Sequence, residues 1–318
     1  MAYDFRLMVK VATLYYKDGL TQDEISKKIK VSKYQVNRVL KRALEAGIVQ
    51  ITINDSMSGI SNLEEKLEKT FNLKRAIVID NLGLSDKELK VKMGQAAARY
   101  LLEIIKNQDV IGIAWGTTVN EVVNHLPAKI NKDVEVVQVT GGIHQLALNL
   151  NCQDIARRLA DKFDKEPHLI YAPAIVESKN LRDLLLREQS IRDTFKYFKG
   201  ISIALAGIGA ISKKLTSSLV ETGSINEVEI EKLKNQSAVG DVFSHFIDIN
   251  GKIIDKSIDN KMITISIDDI LRIPYLIGVA GGESKAEAIL GAIRGRYVNI
   301  LVTDNKAASK LLKLQTSH

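Results

Sequence analysis

A single cysteine, Cys152, stands among 318 residues, so no disulfide can close within the chain and a small bridge-stapled secreted fold is excluded. It falls at the start of a helical pattern and reads as a packing residue rather than a nucleophile. Long apolar runs are missing as well. No stretch approaches the roughly 18 residues that a membrane-spanning helix requires, and Asp4 and Arg6 interrupt any export-leader pattern. A cytoplasmic location is the expectation. The five histidines, His125, His144, His168, His245 and His318, have none of the spacings of a metal site. No metal and no resident cofactor is expected.

What is present begins with length, which suits one small and one large domain. Charge is unevenly placed. The chain carries +7, and residues 1–53 hold +5 of it, from ten Lys and Arg against five acids. Positive charge gathered on a small module is the footprint of phosphate binding by a nucleic-acid partner.

That module carries a specific pattern. Thr21 with Glu24, and Ser32 with Gln35, are capping boxes, each opening a short helix. Ile25 and Ile29 share an inner face of the first helix, and Val36, Val39, Leu40 and Ala43 form the buried stripe of the second. An upstream helix over about 4–17 offers Leu7, Met8, Val11, Leu14 and Tyr15 to complete a three-helix core. The gap between boxes fits a helix-turn-helix. The DNA-facing set is Thr21, Gln22, Ser32, Lys33, Tyr34, Gln35, Asn37, Arg38 and Lys41. Gln and Asn can pair with adenine, Arg with guanine and Lys with phosphate. The alternating run 49–53 reads as one arm of a wing.

Polar residues 54–59 precede an amphipathic helix over about 62–71, which places a DNA-binding domain at 1–54 and an effector and assembly domain at 55–318. From residue 76 onward, β-branched runs at 76–79, 110–114, 134–139, 168–171, 201–206, 277–280 and 299–302 alternate with helical patterns. Those helices are expected near 86–106, 118–126, 151–163, 180–198, 285–294 and 306–312. The alternation implies an α/β domain with a mainly parallel sheet covered on both faces. One insertion departs from it: 242–249 and 252–254 flank Asn250-Gly251 and read as a hairpin.

Ligands of such sheets bind at the carboxyl ends of the strands. There the sequence places Gly116-Thr117-Thr118, Thr140-Gly141-Gly142, Gly207-Ile208-Gly209, and Gly281-Gly282 followed by Lys285. Open amides, hydroxyls and an ammonium converging on one edge suit a small phosphorylated ligand. Asp241 is a candidate for sugar hydroxyls, with Gln145 and Asn149 in support.

The chain resembles the SorC family of bacterial sugar-responsive transcription regulators. The resemblance covers essentially its whole length and rests on ATLYYKDGLTQDEISKKIKVSKYQVNRVL, IGIAWGTTVNEVV, VEVVQVTGGI, LAGIG, QSAVGDVFSHFIDINGKII and VAGGESKAEAILGAIRGRYVNILVTD. It implies a winged helix-turn-helix and a Rossmann-like effector domain related to sugar-phosphate isomerases and deaminases. It also implies a tetramer that releases or alters its grip on operator DNA when a phosphorylated sugar binds. By position, Gly116, Thr117 and Thr118 hold the phosphate with Lys285, while Thr140, Gly141, Gly142 and Asp241 line the sugar. A deoxyribonucleoside-responsive member has a lysine immediately before the glycine pair, able to form an imine with an open-chain sugar. Here Thr140 stands in that position, which excludes the imine there.

The function expected is therefore that of a repressor of a carbohydrate catabolic operon, controlled by a phosphorylated sugar. The alternative is a sugar-phosphate isomerase or deaminase with an accessory DNA-binding arm. Such an enzyme needs a paired acid and base, and the pattern puts no second carboxylate or histidine beside Asp241.

Overall fold

The computed structural model describes residues 5–49, 56–143, 151–211 and 217–316. The chain divides into two compact units, Met1–Ser56 and Met57–His318.

In the first unit, α1 (Phe5–Ala12) runs into a π-helical turn (Thr13–Lys17) and is followed by α2 (Gln22–Ile29) and α3 (Lys33–Glu45). Both capping boxes form, Thr21 with Glu24 and Ser32 with Gln35. Lys30 terminates α2 in the left-handed region, with φ of 54°, and turns the chain toward Ser32. Val11, Leu14, Ile25, Val36, Val39 and Leu40 make the core, with Leu7, Met8, Tyr15 and Ile29 packed at its margin. Of the expected wing strand over 49–53, only Val49 is described, in a bend whose amide donates to the Ala43 carbonyl at 3.1 Å, and 50–53 lie outside the described residues.

The second unit opens with α4 (Ser56–Phe71), six residues longer than the pattern suggested. Its Ile60, Leu63, Leu67 and Phe71 pack into the core of this unit. There follow β1 (Arg75–Ile79), α5 (Asp86–Ile104), β2 (Val110–Ile113), α6 (Thr117–Asn124), β3 (Glu135–Gln138) and α7 (Cys152–Asp161). Next come α8 (Lys179–Leu185), α9 (Gln189–Lys196), β4 (Ile203–Ala210), α10 (Ser218–Glu221), α11 (Glu227–Asn235), β5 (Gly240–Val242) and β6 (His245–Ile247). The chain ends with α12 (Lys256–Asp259), α13 (Ile267–Ile270), β7 (Tyr275–Val279), α14 (Ala286–Arg294), β8 (Ile300–Asp304) and α15 (Asn305–Thr316).

Strands β1-β8-β7-β4-β2-β3 pair in that order, all parallel. Alternate residues of one strand point to opposite faces, and both faces are apolar here. Ile203 and Leu205 join a layer with α5, α6 and α7, while Ala204 and Ala206 join the layer with α4, α14 and α15. The result is the mixed α/β architecture that the β-branched runs imply.

Four segments depart from expectation. Residues 168–171 make only an isolated bridge, His168 to Val137. Beyond it the Gln138 side chain takes the Ile170 amide (3.0 Å) and the Thr194 hydroxyl takes the Leu169 carbonyl (2.8 Å), so side chains replace a ladder. The helix expected over 180–198 breaks at Glu188, whose backbone is extended. The break lets α9 bury Ile191 and Thr194, whereas α8 buries nothing fully. Strand β4 continues through Gly207-Ile208-Gly209, which is strand and not loop. Finally, the first hairpin turn is Phe243-Ser244, and Asn250-Gly251 makes a second return, bridging Ile253 to Ile247.

Candidate functional site

At the carboxyl ends of β2, β4 and β7 lies a small cleft. Its walls are Ala114 to Thr118, Gly207 to Gly209, Asp241, Phe243, Ser244, Val279 and Lys285. Gly116 precedes α6 with φ of 148°, a backbone that side-chain-bearing residues rarely adopt. It supplies no side-chain cap, so the positive end of α6 starts beside the cleft with its first amides uncapped by any side chain. Thr117 is exposed and Thr118 buried.

Two ionisable groups also line this cleft. Asp241 pairs across β5 and β4 with Gly209. A methyl group on Gly209 would collide with Asp241 Oδ1, so the missing side chain makes room for the carboxylate. Asp241 is only 5% exposed. Burial pushes it up to about 6, against the opposing influence of the nearby Ser217 hydroxyl and the charges of Lys285 and His245. Among the described residues, Asp241 Oδ1, Ser217 Oγ and Ser244 Oγ are buried without a hydrogen bond of good geometry. Lys285 Nζ donates to the Ile208 carbonyl at 2.9 Å. Burial first, and then the charge of Lys90, hold Lys285 below the usual lysine range, while Asp241 and Glu221 oppose them.

The structure thus brings together Gly116, Thr117, Thr118, Gly207, Gly209, Asp241 and Lys285 from the expected set. It places Thr140, Gly141 and Gly142 apart from this lining. Their groups are already used: Gly141 N donates to Ile263 O and Gly142 N to Ala172 O, at 2.8 and 2.9 Å. Thr140 is fully buried, its hydroxyl 3.8 Å from Cys152 Sγ and its carbonyl accepting from Gln138 Nε2. Gly281 and Gly282 are also outside the lining, because Asp304 accepts from the Gly282 amide and packs where a Gly281 side chain would sit. Gln145 and Asn149, with His144, lie outside the described residues. Sequence reading missed Trp115, Phe243 and Ser244. Trp115 sits within the WGTT run, whereas nothing in Phe243-Ser244 signals a turn.

Cys152 is buried, and burial pushes its thiol up to about 12, an unreactive packing sulfur. Among the described residues no three His, Cys, Asp or Glu side chains gather to hold a metal ion.

In the first unit the candidate DNA-facing residues divide by what they already do. The Thr21 and Ser32 hydroxyls are spent in the capping boxes, and so is Gln35 Oε1, which accepts from Ser32 N at 2.9 Å. Lys33 pairs with Asp23 at 2.8 Å on the exposed surface, a contact worth little to stability. Asn37 Nδ2 reaches Gln22 Oε1 at 3.5 Å. Tyr34 (74% exposed), Asn37, Arg38 and Lys41 lie on the outer face of α3.

Comparison with known proteins agrees with this architecture. Residues 55–313 match the Sugar-bind family, a sugar-binding domain. The chain is 33% identical to the sorbitol operon regulator of Klebsiella pneumoniae over 312 residues, 98% of each chain. It is 30% identical to the deoxyribonucleoside regulator of Bacillus subtilis, over 96% of this chain and 97% of that one. The crystal structure of the full-length sorbitol operon regulator SorC from K. pneumoniae superposes with a TM-score of 0.75 at 32% identity, covering 98% of this chain and 100% of that one. These relatives are named as regulators rather than enzymes. No described helix is long and apolar enough to cross a membrane. With a family match over most of its length and relatives aligned end to end, the chain belongs to the SorC family of transcriptional regulators that carry this sugar-binding domain.

Proposed function

We propose that the protein is a repressor of a carbohydrate catabolic operon whose hold on operator DNA is set by a phosphorylated sugar. The observation that carries this reading is the cleft. An uncapped helix start and a lysine line it together with a buried carboxylate that has an unpartnered oxygen. A phosphate suits the first, through the amides of Thr117 and Thr118, their hydroxyls and Lys285. Sugar hydroxyls suit Asp241, which can only accept when ionised.

In this reading the first unit is a helix-turn-helix, completed by a wing, with α3 in the major groove. Arg38 and Asn37 meet base edges there, and Lys33 and Lys41 meet phosphates. Gln35 is better suited to donating through its amide nitrogen than to pairing with adenine, since its oxygen holds the cap. A tetramer presents several such units to one operator. The effector shifts DNA affinity only by binding the two states of the protein unequally.

Paired variants test the division of labour. Arg38→Ala is expected to weaken operator binding by about tenfold or more, as measured by gel shift, while phosphorylated sugars still raise the melting temperature. Lys285→Ala is expected to keep operator binding and to lose that stabilisation. Loss of both properties in each variant would contradict the proposal.

A further inference from the structure

Two of the buried, unpartnered atoms at the cleft belong to one short hairpin: Asp241 Oδ1 and Ser244 Oγ. A buried polar group left without a partner is costly, so native proteins retain few of them, and each calls for an explanation. The backbone beneath Ser244 is unusual as well. Phe243 and Ser244 form the two-residue turn with φ of 51° and 66°. Turns of this kind favour glycine or asparagine at both positions, and neither is present here. Strained backbone persists only where its surroundings hold it, and here they do. Thr264 Oγ1 donates to the Phe243 carbonyl at 2.7 Å. His245, next along the chain, is pinned between Asp259 Oδ1 (2.6 Å) and the Ile265 carbonyl (2.8 Å). A fixed hydroxyl without a partner therefore lines the cleft beside a fixed carboxylate whose Oδ1 has no hydrogen bond of good geometry.

We propose that Ser244 and Asp241 form a two-point reader of neutral hydroxyls on the bound phosphate ester, and that the carboxylate excludes phosphorylated sugar acids. The inference rests on the reading of the cleft as a phosphate-ester site and narrows its ligand class. A carboxylate oxygen accepts only, so its partner must be a donor, and on a sugar or polyol that donor is a hydroxyl. The Ser244 hydroxyl can donate to the same or the adjacent oxygen. Among the described lining residues, Asp241 is the one acid and Lys285 the one cation. A sugar acid would set a second carboxylate against Asp241 while its phosphate already engages Lys285. Like charges placed together in a desolvated site are strongly disfavoured, and a site built for a hydroxyl rejects ligands that cannot supply one. Sequence reading had no access to Ser244, because its role depends on a turn made without turn residues.

The test uses the full chain, with the fluorescence of its single tryptophan, Trp115 in the cleft wall, as the binding signal. Inorganic phosphate, a panel of tetritol, pentitol and hexitol phosphates, and the matching phosphorylated sugar acids are titrated in turn. Expected results are binding of inorganic phosphate, tighter binding of at least one polyol phosphate, and affinity for its matching acid lower by about a hundredfold. Ser244→Ala should weaken the best polyol phosphate about fivefold, the worth of one neutral hydrogen bond, and leave inorganic phosphate unchanged. Ser244→Gly, which suits the turn, should lose the same affinity while melting higher, separating the hydroxyl from the backbone. Asp241→Asn should narrow the gap between polyol and acid. Wild-type affinity for the polyol ester in both Ser244 variants, or equal binding of ester and acid, overturns the proposal. So does a wild-type protein that binds inorganic phosphate but no polyol ester. If neither inorganic phosphate nor any ester binds the wild type, the reading of the cleft itself has failed.

Discussion

Replacing Asp241 with asparagine is expected to stabilise the unliganded protein at neutral pH while weakening its hold on a sugar phosphate. The reason is the direction of the Asp241 shift. Unfolded, the carboxyl titrates near its ordinary value of 3.8, whereas in the fold burial raises it to about 6. The folded state therefore binds this proton more tightly than the unfolded state. The contribution to stability is fully present below about pH 4 and is lost as the pH rises through 6. At pH 7.5 the folded protein carries the whole cost of an ionised buried carboxylate, on the order of 3 kcal/mol. Asparagine keeps the shape and removes the charge. Its melting temperature should exceed that of the wild type by about 5 °C at pH 7.5, and the advantage should fall to about a third of that near pH 4.5, on its way to zero below pH 4. Melting followed through Trp115 at both values is the measurement. An advantage that does not change with pH would show that Asp241 is not the ionised, desolvated group described here.

The trade between stability and binding follows from what the cleft contains. A carboxylate with an unpartnered oxygen is held there by β5 and by the empty space over Gly209. Proteins retain such groups where function requires them, and removing them commonly stabilises at the expense of that function. A ligand hydroxyl that meets Asp241 Oδ1 returns part of the cost, so effector binding should stabilise the wild type more than the asparagine variant.

Much of this arrangement was legible in the chain because its signals are local. A capping box depends on two residues three apart, and both boxes in the first unit form as the Thr21–Glu24 and Ser32–Gln35 pairs suggested. The β-branched runs of β1, β2, β3, β7 and β8 lie within a residue or two of their observed bounds, since a strand buried on both faces admits little else. Gly116, Thr117, Thr118, Asp241 and Lys285 meet at one cleft because strand ends and helix starts share an edge of the sheet. What failed was non-local. Thr140-Gly141-Gly142 looks like Gly116-Thr117-Thr118 in composition, but its amides are taken by Ala172 and Ile263, partners 30 and more than 120 residues away. Gly207-Ile208-Gly209 reads as loop, yet β5 pairs with it and extends the strand. The Phe243-Ser244 turn is held by Thr264 and by the anchoring of His245, so no propensity within the hairpin could announce it.

A single methyl group added at two glycines should have opposite effects, and the contrast tests how the cleft is supported. Gly94 lies in the middle of α5, where an added Cβ would stand 2.5 Å from Glu121 Cβ and 2.7 and 2.9 Å from the Glu121 backbone carbon and oxygen. Helices α5 and α6 therefore touch through bare backbone, which cannot rotate away as a side chain can. Gly94→Ala must push α6 outward, and overpacking of this kind costs about 3 kcal/mol. Glu121 is one helical turn from Thr117, so the displacement reaches the amides proposed to hold the phosphate. Inorganic phosphate should bind more weakly to whatever fraction remains folded. Gly59 is also helical, in α4, but exposed, and a Cβ there meets nothing within 4 Å. Gly59→Ala should instead stabilise by about 0.5–1 kcal/mol, through the conformational freedom that glycine gives up on entering a helix. Melting of both variants, with phosphate titrations on Gly94→Ala, decides the matter. Wild-type melting and phosphate affinity in Gly94→Ala would mean that α6 is not seated on α5 backbone to backbone.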